Sequence, residues 1–210
     1  MFQGSSQFFQ TVDIIDQGTT IFAAGFGPIQ TPGGNNIFGP LIIWSNTSGL
    51  TWQTVNLDPV IPSFYDYQTF YVDDEFTNGE LMDLSIGTSR DIYAVGWVFT
   101  GLSSDKQLDV NPSALVYASH DGGNTFVQQK NPITVQNSLI PLNEPHNAIT
   151  LSQLFGVDAY NASYVLAVGY VDIDNSESLT PAVIITTNGG TNWTAIEFKN
   201  KSLAGAIAIF

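Results

Sequence analysis

Residues 119–126 read Ser119-His120-Asp121-Gly122-Gly123-Asn124-Thr125-Phe126 and follow the apolar run Leu115–Ala118. The stretch is recast as Ser45-Asn46-Thr47-Ser48-Gly49-Leu50-Thr51-Trp52 and as Thr186-Thr187-Asn188-Gly189-Gly190-Thr191-Asn192-Trp193. A short polar side chain at the third position can accept bonds from backbone N–H groups inside a turn. Glycine at the fifth position supplies a positive φ at little steric cost. The aromatic at the eighth position opens the next strand and can pack between neighbouring units. The stretch therefore reads as a hairpin. Thr47 is a poorer acceptor than Asp121 or Asn188, so the first hairpin is expected to be the least ordered.

Working outward, each octapeptide closes the same series of strands. A first strand is expected at Phe9–Ile14, Leu81–Ile86 and Leu154–Ala159, followed by a short polar turn. A second ends in small-x-Gly-aromatic: Ile21–Phe26, Ile92–Trp97 and Val165–Tyr170. A third runs over Leu41–Trp44, Leu115–Ala118 and Ala182–Ile185. Recurrence at a fixed place in a four-strand pattern marks a repeat architecture. The fold expected is all-β, a β-propeller of three four-stranded antiparallel blades. The units are 1–80, 81–150 and 151–201, each of the first two with its connecting loop. Leu203–Phe210 reads as the first strand of a further repeat, residues 202–210. Propellers close with about 4–8 blades, so the chain is expected to be a segment of a larger propeller. Self-association of copies into one ring is the alternative.

The octapeptide resembles the Asp box, or bacterial neuraminidase repeat, over most of residues 8–198. Sialidases, sortilin-type receptors, xyloglucan-acting glycosidases and the photosystem II assembly factor carry this motif. The resemblance implies that the box joins the third and fourth strands of each blade. The box residues are Ser45, Thr47, Gly49, Thr51 and Trp52; Ser119, Asp121, Gly123, Thr125 and Phe126; and Thr186, Asn188, Gly190, Asn192 and Trp193. Only the second box has its Asp. Proteins with this motif have unrelated activities, so it reads as a folding element.

Composition narrows the function. The chain has 210 residues, 43% hydrophobic, with 5 Lys+Arg against 19 Asp+Glu and a net charge of −14. Five scattered cations cannot displace the counterions of a nucleic acid. Cations or a basic partner suit this surface better. Cys is 0, which removes disulfides, thiolate zinc sites and thiol nucleophiles. No apolar run reaches about 18 residues, so no membrane span is expected. Four sequons, at Asn46, Asn161, Asn192 and Asn200, suggest a secreted or cell-surface glycoprotein. Residues 1–20 contain no basic-then-apolar leader pattern.

Alternating strand direction places the short turns on one side and the long connections on the other. The long connections are expected at Gly27–Pro40, Thr100–Ser113 and Val171–Pro181, and between repeats at Asn56–Glu80 and Lys130–Thr150. Asp58, Asp66, Asp73, Asp74, Glu75, Glu80, Asp105, Asp109, Glu144, Asp172, Asp174 and Glu177 all fall there, which gives that face a negative field. Long loops on a rigid scaffold are where binding usually resides. The candidate ligand face is Tyr65, Tyr67, Tyr71, Asp73, Asp74, Glu75 and Trp97. Asp172, Asp174 and Glu177 alternate oxygen donors and form a candidate Ca²⁺ set, without the glycine and distal Glu of an EF-hand loop. Phe26, Trp97 and Tyr170 share one repeat position, as a ligand ring or as repeated packing.

Catalytic signatures are sparse. The resemblance to sialidases implies an arginine triad, yet Arg90 is the one arginine. Two glycosidase carboxylates must flank one bond at roughly 5 to 9.5 Å, and Asp73, Asp74 and Glu75 lie beside an aromatic stretch. His120 and His146 have no metal-binding spacing. The function expected is a non-catalytic binding or structural module that docks a protein or carbohydrate on its acidic long-loop face. The alternatives are part of a glycoside hydrolase completed by other blades, and an assembly factor of the photosystem type.

Overall fold

The structure is a computed structural model that describes residues 8–15, 19–30, 36–55, 57, 79–100, 111–133, 149–173 and 179–196. Twelve strands run in order: β1 Phe8–Ile15, β2 Thr20–Gln30, β3 Asn36–Ser45, β4 Gln53–Thr54, β5 Gly79–Ile86, β6 Ile92–Thr100, β7 Asn111–Ser119, β8 Val127–Gln128, β9 Ile149–Ala159, β10 Val165–Ile173, β11 Thr180–Thr186 and β12 Thr194–Ile196. They form three four-stranded antiparallel sheets, β1–β4, β5–β8 and β9–β12, each ordered as in the sequence. Among the described residues no helix forms, and so none is long and apolar enough to cross a membrane. The Leu203–Phe210 segment lies outside the described residues.

The sheets stack in sequence, with β5 against β1, β2 and β3, and β9 against β5, β6 and β7. Side-chain alternation along a strand explains how the middle sheet serves both neighbours. Ile92 and Ala94 of β6 join Phe22, Ala24, Ile42 and Leu81 in the core between the first two sheets. Tyr93 and Val95 face the other way and join Leu154, Val157, Ala167 and Ile184. A sheet covered on both faces needs a continuous apolar run, which is what Ile92-Tyr93-Ala94-Val95 supplies. The outer sheet is different. Phe9 and Val12 of β1 are 41% and 61% exposed, whereas Leu81 and Leu84, their counterparts in β5, are 0% and 4%; Ile14 is exposed where its counterpart Ile86 is half-buried.

Each first strand carries a bulge at the same place. Pairing with the second strand skips Gln10, Met82 and Phe155, and the bulged strand kinks there. Gly25, Gly96 and Gly169 lie opposite these bulges. A Cβ on any of them would collide with the carbonyl oxygen of Phe8, Glu80 or Gln153. The repeated glycine before the aromatic is therefore a close-approach requirement.

The long connections within repeats are shorter than the sequence suggests. Gly27–Pro40 is mostly paired backbone, with Gly27 opposite Gly39 and Gln30 opposite Asn36. Thr100 pairs with Asn111, and Val171 with Thr180. Turn-forming residues such as Gly27, Pro28 and Gly39 mimic a loop, but a two-strand extension tolerates them. Two acids assigned to long loops sit in strands: Glu80 in β5 and Asp172 in β10.

Candidate functional site

The two ends of the sheets differ chemically. At one end lie the octapeptide hairpins. In each, the first hydroxyl accepts the amide of the fifth residue: Ser45 from Gly49, Ser119 from Gly123 and Thr186 from Gly190, all at 2.9 Å. The third residue binds the amide of the seventh: Thr47 from Thr51 at 2.8 Å, Asp121 from Thr125 at 3.0 Å and Asn188 from Asn192 at 3.0 Å. The fourth and fifth residues both have positive φ, 77° and 87° at Gly122 and Gly123. Ser48 adopts 51° at the fourth position without being glycine, which costs of order 1 kcal/mol. Thr47 thus keeps the bonding role of Asp121 with a single oxygen.

The hairpins are also tied to the turns between first and second strands. Ser48, Gly122 and Gly189 donate their amides to the carbonyls of Thr19, Arg90 and Ser163 at 3.2, 3.0 and 3.1 Å. Both kinds of short turn therefore occupy one end. Asn46 and Asn192 are exposed there. Asn161 is half-buried and accepts the Ser163 and Tyr164 amides at 2.8 and 3.0 Å. Asn200 lies outside the described residues.

Between the second and third hairpins sits a polar cluster that sequence reading missed. His120 Nδ1 lies 2.8 Å from Asp91 Oδ1, and the Thr88 hydroxyl donates to Asp91 Oδ2 at 2.5 Å. Burial opposes ionisation of Asp91, yet Thr88, His120 and Arg90 together hold its carboxyl below the ordinary value. Tyr93 passes beneath, donating to the Ala162 carbonyl at 2.9 Å. Burial, and then the Asp91 charge, push its phenol up to about 12. A carboxylate–imidazole pair can orient a general base. Among the described residues, however, His120 Nε2 meets no hydroxyl, so no nucleophile completes a triad. The cluster fastens neighbouring turns. The residue order held only one clue, His120, because its partner lies 29 positions away.

At the opposite end, the three repeat aromatics stand in register with the first strands. Phe26 pairs with Phe8, Trp97 with Glu80 and Tyr170 with Gln153. Each pair solves its contact differently. Phe8 and Phe26 stack at 5.0 Å. Trp97 Nε1 donates to Glu80 Oε1 at 3.1 Å, and the Tyr170 hydroxyl donates to Gln153 Oε1 at 2.5 Å. Glu80 also receives Gln10 Nε2 at 3.4 Å from the preceding sheet. Phe155, the bulge residue, lies 5.1 Å from the half-buried Tyr170 ring, whose pKa is raised by burial. Carboxylate, amide and partly open rings are the groups that bind sugar hydroxyls and apolar ring faces.

Of the sequence candidates for a ligand face, Trp97 joins this end. Tyr65, Tyr67, Tyr71, Asp73, Asp74 and Glu75 lie outside the described residues. So do Asp174 and Glu177 of the Ca²⁺ set. Asp172 is 8% exposed within β10, opposite Leu151. Its place is a buried strand position and not a solvated loop. Among the described residues no three acids or histidines gather as a metal site.

No family model and no curated protein matches the chain. Among solved structures, it is similar to a protein of unknown function from Dyadobacter fermentans, at 16% identity and a TM-score of 0.43. The match covers 83% of this chain and 46% of that one, so the chain spans less than half of that protein's length.

Proposed function

We propose that the chain is part of an Asp-box β-propeller that serves as a non-catalytic binding module. Its partner docks on the end that carries Trp97, Tyr170 and the acidic connections. The stacking of each first strand on the preceding sheet supports the propeller reading. The observation that carries the binding reading is the repeated pairing of Trp97 with Glu80 and Tyr170 with Gln153. Each ring is only partly covered and is held by a polar side chain that keeps hydrogen-bonding capacity. At the hairpin end, by contrast, the first- and third-position side chains of each octapeptide bind backbone amides of their own turn. The sequons Asn46, Asn161 and Asn192 also sit at the hairpin end, so glycans there would leave the aromatic end clear. That arrangement fits an extracellular protein whose partner is a carbohydrate or a basic protein surface.

The test is binding of the whole chain to a glycan array and to a set of lysine-rich peptides, followed by calorimetry on any hit. Trp97→Ala and Tyr170→Ala are expected to weaken binding by at least about tenfold, a loss of about 1.4 kcal/mol. His120→Ala, at the other end, is expected to leave it unchanged. Absence of binding to both sets, or binding lost only with His120→Ala, overturns the assignment.

A further inference from the structure

The turn between β9 and β10, Tyr160–Tyr164, is the counterpart of Gly87–Asp91 between β5 and β6. The first amide of each donates to the fifth carbonyl, Gly87 to Asp91 at 2.9 Å and Tyr160 to Tyr164 at 3.0 Å. The second side chain of each accepts the fourth and fifth amides. Thr88 accepts those of Arg90 and Asp91 at 3.2 and 3.1 Å, and Asn161 those of Ser163 and Tyr164 at 2.8 and 3.0 Å. The first position differs. A Cβ on Gly87 would lie 2.7 Å from the Asn161 carbonyl oxygen, because the turn of the third sheet is seated against it. The third sheet has Tyr160 in that place, 84% exposed. A further turn seated the same way would strike the Tyr160 side chain, so this surface suits a different occupant.

Alternation along β9 and β10 collects Asp158, Tyr160, Tyr164 and Leu166 on one face, where they line a shallow groove. Tyr164 is 52% exposed, and among the described residues nothing bonds the exposed Asp158 carboxylate. The sequon Asn161-Ala162-Ser163 begins beside this groove. Asn161 commits its Oδ1 to the turn, which leaves Nδ2 without a hydrogen bond among the described residues. We propose that Asn161 is N-glycosylated and that the first sugar of its glycan packs on the Tyr160 and Tyr164 rings, with Asp158 accepting a sugar hydroxyl. This inference rests on the extracellular reading given above. In the transfer, Nδ2 attacks the anomeric carbon of an oligosaccharide pyrophosphate. The C1–Nδ2 bond forms as the C1–O bond breaks, pyrophosphate leaves with the bonding pair, and Nδ2 gives up one proton. Oδ1 is untouched, so both turn bonds survive the modification. A sugar presents an apolar C–H face that suits an aromatic ring, and its covalent tether gives it a high effective concentration. The seat is also held in place. Tyr93 donates to the Ala162 carbonyl at 2.9 Å, and the Gly189 amide to that of Ser163 at 3.1 Å. A fixed seat lowers the ordering cost of the contact.

Secretion of the full chain from a eukaryotic host, with occupancy of each sequon read by mass spectrometry, tests the assignment. Asn161 is expected to be occupied. Ser163→Ala removes the sequon and leaves the Asn161 side chain in place. It should lower the Tm of the secreted chain by about 2–4 °C and leave that of the sugar-free chain from bacteria unchanged. Trimming the glycan to its first sugar should preserve the gain. Tyr160→Ala should lower the Tm of the secreted parent by a similar amount and have no effect in the Ser163→Ala background. Tyr160→Phe, which keeps the ring, should behave as the parent. An unoccupied Asn161 overturns the proposal, as does a secreted Ser163→Ala chain that melts with the parent, or a Tyr160→Ala effect equal in both backgrounds. If Asn46 and Asn192 are bare as well, the extracellular reading falls with it. A failure to find a partner at the aromatic end would leave this inference standing.

Discussion

The Asp83 carboxylate accepts the Val157 amide at 2.8 Å, joining residues 74 positions apart. Its other oxygen accepts the Leu84 amide at 2.9 Å and the Thr11 hydroxyl at 3.1 Å. One side chain on the middle sheet therefore touches the first strands of all three. Asp83 follows the bulge at Met82, and the bulge re-aims it towards the neighbouring strands.

Removing this acceptor should loosen both contacts between sheets. Asp83→Ala leaves the Val157 amide without its partner and is expected to cost about 2–3 kcal/mol. Asp83→Asn keeps one carbonyl oxygen and should cost about 1 kcal/mol. Urea unfolding followed by intrinsic fluorescence checks both values. An Asp83→Ala chain as stable as the parent would mean that packing alone holds the sheets together.

In each hairpin the first residue is expected to hold the turn more firmly than the third. The third position varies as Thr47, Asp121 and Asn188, yet the bond to the seventh amide survives in all three. The hydroxyl at the first position binds a more deeply placed amide, that of Gly123 or Gly190. Ser119→Ala is thus expected to destabilise by about 1–3 kcal/mol, and Asp121→Asn by under about 1 kcal/mol. Thermal melts of the two variants give the comparison. Equal losses would contradict this ranking, and a larger loss in Asp121→Asn would make the third residue the main fastener.

The strand series, the four-strand unit and the hairpin turns were legible because each rests on local chemistry: alternation, glycine and a capping side chain. Asp83, Asp91 and Glu80 were not. Their roles depend on bulge geometry and on partners in other strands, and the residue order carries no mark of either. The long connections were overestimated at Gly27–Pro40, because Gly and Pro at strand ends look like loop residues until their pairing is known. The repeat position singles out Trp97, but its hydrogen-bond partner Glu80 was hidden by its assignment to a loop.

Acid should loosen one hairpin before the others. Burial opposes ionisation of Asp121, but the Thr125 amide and hydroxyl, the Ser119 hydroxyl and the Asn124 amide hold its carboxyl below the ordinary carboxylate value. A depressed folded pKa means that the stabilisation is complete above the unfolded value and is lost as pH falls through the folded one. Asn188 occupies the same place in the third hairpin and does not titrate. Protection of the Thr125 amide should therefore fall below about pH 4, while that of Asn192 stays level. Amide exchange measured by NMR across pH 2–6 separates the two, and parallel behaviour would contradict the assignment.

The fifth-position glycines separate conformational cost from contact cost. Gly49 and Gly123 have nearly the same φ, 84° and 87°. An added Cβ at Gly49 would lie 3.8 Å from Ile21 and Trp52, which is ordinary contact. At Gly123 it would strike the Phe22 ring of the preceding sheet. That ring is fully buried and packs 6.5 Å from Phe126, so it cannot yield without moving the core. Gly49→Ala is expected to cost about 1–2 kcal/mol, the price of a left-handed non-glycine residue. Gly123→Ala carries that cost and a further 1–3 kcal/mol or so from overpacking. Phe22→Leu, which shortens the ring side chain, should recover part of the second loss and none of the first. A double-mutant cycle between positions 22 and 123 measures this coupling. No coupling would mean that the second hairpin does not bear on the first sheet.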